Sequence, residues 1–292
     1  MNSTVGGGLN NSILTNTAAA TIGGGAANFI LTNSPFSTIG GGAQHRIQPN
    51  STASTIGGGL NNAIQSNSAD STIGGGQLNR IEADSIRATI AGGSSSVIGT
   101  NSANSTIGGG NSHTVEANAA NATIAGGSGN VITSNATGAT IPGGALARAR
   151  NYGQLAYASG GFGGASGNAQ ASQFVLRTTT ANAVLTELFL DGSALRMVVP
   201  TNGVWSFDVL IVASGAAGAS AGYQVRGVIE NDGGTTALVG AVTETVLAED
   251  DAAWDVTVSA DDISDSLRVR VNGDAADSVR WVASVRTVEV IN

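Results

Sequence analysis

Thr21-Ile-Gly-Gly-Gly-Ala-Ala-Asn-Phe-Ile-Leu-Thr-Asn-Ser-Pro-Phe-Ser37 is one period of a repeat that fills the first half of this chain. Its threonine recurs every 17 residues, at Thr4, Thr21, Thr38, Thr55, Thr72, Thr89, Thr106, Thr123 and Thr140. Ile or Val follows each one, and a glycine-rich triplet comes next. A second apolar residue falls nine positions after the threonine, at Ile13, Ile30, Ile47, Ile64, Ile81, Ile98, Val115 and Ile132. An unbroken short period means stacked units that touch only their neighbours.

Two short apolar segments divided by Gly-Gly and Asn-Ser punctuation predict two short β-strands per coil. Helix is excluded, because glycine costs about 1 kcal/mol per residue relative to alanine in a helix interior. Glycine and the asparagine after the second strand instead suit left-handed corners. Stacking at about 4.8 Å per coil makes nine coils roughly 43 Å long. The Ile positions form two ladders, and Asn11, Asn28, Asn62, Asn79 and Asn130 form a polar ladder able to hydrogen-bond from coil to coil. Two Ile per 17 residues is a thin core. Side-by-side packing of several copies, burying the Thr, Ala and Ser faces as well, is therefore expected.

The pattern changes after residue 150. Asn151–Phe162 breaks the period and adds aromatics, and a Gly-rich stretch follows, so residues 151–172 read as cap and linker. From Gln173 onward longer alternating segments appear, among them Trp205-Ser-Phe-Asp-Val-Leu-Ile-Val212 and Val279-Arg-Trp-Val-Ala-Ser-Val285. Turn signals at Asp191-Gly192, Asn202-Gly203, Asp232-Gly233-Gly234 and Asn272-Gly273 separate many of them. Eight or nine strands in roughly 120 residues is the spacing of an antiparallel β-sandwich, jelly-roll-like, over 173–292. The expected fold is all-β: a parallel β-roll or solenoid over 1–150, homotrimeric, followed by the sandwich.

The chain has 292 residues, a net charge of −8, no cysteine and no lysine. Without a basic run, nucleic acid and anionic membranes are poor partners. Disulfides, thiolate metal sites and thiol nucleophiles are excluded. No signal-peptide pattern and no 18-residue apolar run is present. The first coil starts almost at Met1, so a partner protein is expected to cover its open strand edges.

The repeat resembles the head repeats of trimeric autotransporter adhesins, the left-handed parallel β-roll of the YadA-like type, and is similar to Ile-Gly-Gly-Gly repeats of bacteriophage tail-fibre proteins. The resemblance covers residues 1–150. The adhesin repeat is usually shorter. The segment after residue 150 and the terminal domain are similar to the corresponding parts of phage fibres. The resemblance implies a homotrimeric, non-enzymatic fibre of a phage tail or tail-like particle. It would be part of the virion and extracellular, and would attach multivalently to a bacterial surface glycan or protein. A baseplate or neighbouring fibre protein would be its partner at the N-terminus. A bacterial surface adhesin or coat protein is the alternative, and a polysaccharide-degrading tailspike a further one.

Few residues carry chemistry. His45 and His113 occupy the Asn-ladder position four coils apart, too far to share a metal, and read as polar substitutions. No histidine lies beyond residue 150, which removes a Ser-His-Asp triad from the C-terminal half. Glu82 and Asp84 are expected on one strand face, with Glu116 two coils beyond Glu82. A carboxylate pair of the glycosidase kind is conceivable there, against the plainer reading of solvated acids. The run Glu249, Asp250, Asp251, Asp255, Asp261, Asp262 and Asp265 could hold calcium, against a solvated rim. The glycine triplets join strands rather than open helices, so they are not phosphate loops. Ice binding needs a second threonine rank that Ile replaces here. Trp205, Trp254 and Trp281 lie in strand patterns and are expected in the core. No catalytic, cofactor or metal residue is assigned, and receptor contacts are not placed on particular residues.

Overall fold

The computed structural model describes residues 2–216, 218–275 and 277–292. It divides into two compact units, Met1–Arg150 with Tyr157–Gly160, and Asn151–Ala156 with Gly161–Asn292. The first is a parallel β-solenoid of about nine turns. Coil two shows the pattern: strands Thr21–Ile22 and Phe29–Ile30 pair in exact 17-residue register with Thr38–Ile39 and Arg46–Ile47. A third contact, an isolated parallel bridge, joins Ala26 to Ala43.

Strand alternation sends Thr21 and Phe29 outward and Ile22 and Ile30 inward. The interior is wider than the two Ile ladders. Ile22, Asn28, Ile30, Ser34 and Ser37 are all fully buried. Serines and asparagines inside a single chain alter the thin-core argument, since these side chains need no second copy to cover them.

Their burial is possible because each finds partners in the next coil. Asn28 donates through Nδ2 to the Gly24 and Gly42 carbonyls, both at 2.9 Å, and its Oδ1 accepts the His45 N–H at 3.0 Å. Ser34 Oγ donates to the Gln48 carbonyl at 2.9 Å and accepts the Ser51 N–H at 3.2 Å. A buried polar group with its partners in place avoids the desolvation cost of an unmade hydrogen bond.

The backbone follows the same logic. N–H groups of Thr21, Gly23, Ala26, Phe29 and Leu31 donate forward to the next coil. Those of Ala27, Asn33 and Phe36 donate back, to Leu9, Thr15 and Ala18 of the preceding coil. The reversal requires left-handed backbone, and these three residues have φ of 55°, 57° and 61°. Asparagine takes this conformation readily; alanine and phenylalanine do so because the ladder repays the strain. Glycine is needed where coils nearly touch. At Gly59 (φ 96°) a Cβ would lie 1.9 Å from the Gly76 carbonyl oxygen.

The second unit contains two antiparallel sheets. In the larger, strand Val279–Ile291 lies between Ala169–Thr180 and Gly203–Gly215. Gly203–Gly215 pairs on with Ser220–Asp232, and this with Thr235–Leu238 at one end and Thr243–Glu249 at the other. In the smaller, Ser266–Asn272 pairs with Asp255–Asp261, Thr186–Glu187 and Met197–Val198. Side chains of both sheets share one apolar cluster that includes Phe174, Trp205, Phe207, Tyr223, Trp254, Val269 and Trp281. Trp281 packs 5.6 Å from Trp254 and 6.4 Å from Tyr223, centroid to centroid. Among the described residues no helix is long and apolar enough to cross a membrane.

Candidate functional site

An open groove of about 630 Å³ runs along the second strand ladder of the solenoid. Its floor is the outward rank Phe29, Arg46, Ala63, Arg80 and Val97, held in register by parallel pairing. One rim is the left-handed corner residues Ala27, Gln44, Asn61, Leu78 and Ser95, and the other carries Gln48 and Gln65. The groove crosses five coils, so it runs parallel to the stacking axis for roughly 19 Å.

The chemistry of the floor changes coil by coil. The Arg46 guanidinium lies 5.4 Å over the Phe29 ring, a cation–π arrangement. Ala63 follows, its small side chain leaving the floor low between two arginines. Arg80 comes next, with Nε 2.6 Å from Glu82 Oε1. Amide side chains on both rims supply neutral donors and acceptors. None of the described lining residues is a carboxylate. Such a surface suits a long hydroxyl-bearing ligand better than a compact one.

The residues singled out in the sequence are dispersed. Glu82 follows the strand Arg80–Ile81 and is held by Arg80, while Asp84 sits at a left-handed corner (φ 61°) and accepts Asn67 Nδ2 at 3.0 Å. The two do not share a strand face. Glu116 pairs with Arg148 at 3.2 Å and accepts the Ser134 N–H at 3.0 Å.

His45 and His113 are fully buried in the Asn ladder. Nδ1 of each accepts a backbone N–H, from Asn62 at 3.1 Å and Asn130 at 3.2 Å. Nδ1 is therefore the unprotonated nitrogen, and Nε2 has no well-formed partner. Burial lowers both pKa values below the ordinary histidine range, and nearby backbone groups oppose this only in part.

The acidic run of the second unit is occupied in turns and strand ends. Glu249 accepts the Tyr223 hydroxyl at 3.0 Å, and Asp250 accepts the Ser220 N–H at 2.8 Å, which with the Ser220 hydroxyl lowers its pKa. Asp262 and Asp265 accept the N–H and hydroxyl of Thr236, and Asp261 the Ser264 hydroxyl. Among the described residues no group of three or more acids or histidines converges on a metal position. Trp205, Trp254 and Trp281 are buried in the core.

The groove was missed in the sequence because Arg46 and Arg80 stand 34 residues apart. Two periods of 17 place them on one rank, and that spacing was the available signal.

No protein-family model matches the chain, and no curated protein does. Among solved structures the chain is similar to tailspike protein gp49 of Acinetobacter baumannii bacteriophage Fri1, a capsular polysaccharide depolymerase. That similarity has 8% identity and a TM-score of 0.26, over 93% of this chain and 57% of that one. The tailspike of Acinetobacter phage vB_ApiP_P1 is similar at 10% identity and a TM-score of 0.18, over 94% of this chain and 70% of that one. The chain thus spans little more than half the length of the Fri1 protein. The Fri1 protein is described as a depolymerase, and the expectation of a non-enzymatic chain is withdrawn. Both of these solved structures are phage tailspikes.

Proposed function

We propose that the chain is an attachment component of a phage tail or tail-like particle, exposed on the virion, that engages a bacterial surface glycan through the lateral groove. The axial run of the groove over five coils carries this reading. A linear polymer laid along the solenoid meets the same backbone frame at every coil, with a different side chain at each step. In this reading the solenoid is a left-handed β-roll, and the two antiparallel sheets of the second unit form a sandwich. Three copies associate, and another tail protein meets the first coil. Leu210, Val212, Val282 and Val288 remain exposed on the larger sheet, the kind of apolar surface that association covers. Several grooves per particle raise avidity without any new contact.

The test is binding of the purified chain to bacterial cells and to their extracted surface polysaccharide, with Ala63→Tyr as the blocked form. Attachment lost in Ala63→Tyr, with an unchanged circular dichroism spectrum, is the expected result. Undiminished attachment by that variant would remove the groove from the proposal. Size analysis of the polysaccharide after incubation shows in the same sample whether the polymer is also cut. Light scattering at three chain masses is expected, and a stable monomer would end the trimeric part of the reading.

A further inference from the structure

We infer that the groove selects an acidic polysaccharide, whose anionic group sits above Ala63 between the guanidinium groups of Arg46 and Arg80. This rests on the glycan reading of the groove given above. Arg46, Ala63 and Arg80 are consecutive in one parallel rank, so the two arginines flank the alanine at about 5 Å of axial rise on either side. Alanine is the smallest side chain on the floor, and it leaves the space between the two cations open.

The donors there are available. Arg46 contacts the Phe29 ring face, and no carboxylate forms an ion pair with it among the described residues. Arg80 is engaged by Glu82, its Nε 2.6 Å from Oε1, and its side chain is half exposed to the groove's solvent. The groove lining holds two arginines and no acid, in a chain of net charge −8. Gln48, Gln65 and Asn61 beside the alanine provide amide groups for the hydroxyls of flanking sugars. A planar guanidinium on each side suits a carboxylate or sulfate, which accepts paired N–H donors.

The probes are polygalacturonate, alginate and heparin as acidic polymers, and dextran as the neutral one, measured by biolayer interferometry on the full chain. Binding to at least one acidic polymer is expected, weakening as salt rises, with dextran not bound. Arg46→Gln with Arg80→Gln should weaken it at least about tenfold. Glu82→Gln should strengthen it about two- to threefold, because it frees Arg80 from its internal acid. A merely structural role for Glu82 would not produce that gain.

Equal binding of dextran and the acidic polymers, abolished by Ala63→Tyr, would overturn the acidic class while leaving the glycan groove standing. Binding to none of the acidic polymers would overturn the inference. So would binding that the double arginine variant leaves unchanged. Cell attachment surviving in Ala63→Tyr would instead mark failure of the underlying reading.

Discussion

In the coil Thr21–Ser37 the buried side chains are Ile22, Asn28, Ile30, Ser34 and Ser37, whereas the C-terminal unit buries Trp205, Trp281, Tyr223, Phe174 and Phe207. The first set is mostly polar and has no aromatic residue, the second is large and aromatic. The solenoid closes its polar groups through bonds to the next coil, at fixed separations of 14 and 17 residues. The second unit relies on apolar area gathered from distant strands, such as Phe174 near Trp205 and Trp281 bonded to Thr180. A repeat with a short perimeter has little room for aromatic side chains, so hydrogen-bond satisfaction takes over the work of specifying the interior. A defect in the solenoid acts on adjacent coils, while a defect in the aromatic cluster acts on a whole cooperative unit.

The largest expected effect breaks the aromatic side of this contrast. Trp281→Ala removes a fully buried indole packed against Trp254 and Tyr223 and should cost about 3–5 kcal/mol. Denaturant unfolding followed by tryptophan fluorescence should show the second unit melting early. The far-UV signal of the solenoid, which contains no tryptophan, should persist. Simultaneous loss of both would show that the two units are not independently stable.

A somewhat smaller effect attacks the polar interior. Asn79→Leu keeps the branching of the side chain but leaves the Gly75 carbonyl and the Ser96 N–H without their partner, while the Gly93 carbonyl keeps the Gln77 N–H. At roughly 1 kcal/mol or more for each of the two buried unsatisfied groups, the loss is on the order of 2 kcal/mol. Hydrogen exchange should localise the opening to the coils around residue 79. A neutral result would mean that Ile packing alone specifies the interior.

The smallest effect sharpens the comparison by improving the ladder. His45→Asn with His113→Asn should stabilise the solenoid by about 1 kcal/mol per site, because Nε2 of each ring has no well-formed hydrogen bond that Asn would supply. The pH dependence should change too. Burial lowers the folded-state pKa of both histidines, so the unfolded chain binds more protons below the ordinary value of 6.5. Stability is then fully present above that pH and declines as pH falls through it toward the lower folded pKa. Thermal melts between pH 7 and pH 4 should show that decline flattened in the double variant. An equal slope in both proteins would point to the carboxylates instead.

Much of the solenoid was legible in the chain. The Thr-Ile and x-Ile strands fall where the period places them, and the corners at Asn33, Asn50 and Asn67 are left-handed. The other corners were not legible. Ala27, Phe36, Leu78 and Arg87 have no local preference for positive φ and adopt it to return an N–H to the coil before. The groove was legible only in part. Arg46 and Arg80 share a register position, but nothing near either one in sequence marks Ala63 as the gap between them.

The sequence by itself determined the all-β character, the 17-residue register, the two strands per coil and the change of pattern after residue 150. Periodicity fixes which residues stack on their equivalents, because every coil repeats the same path. Tertiary structure decided which polar residues turn inward, since a serine or asparagine is stable inside only when the next coil supplies its donors and acceptors. It also decided how the later strands divide between two sheets. That division follows from apolar faces meeting across long chain separations, which no local pattern encodes.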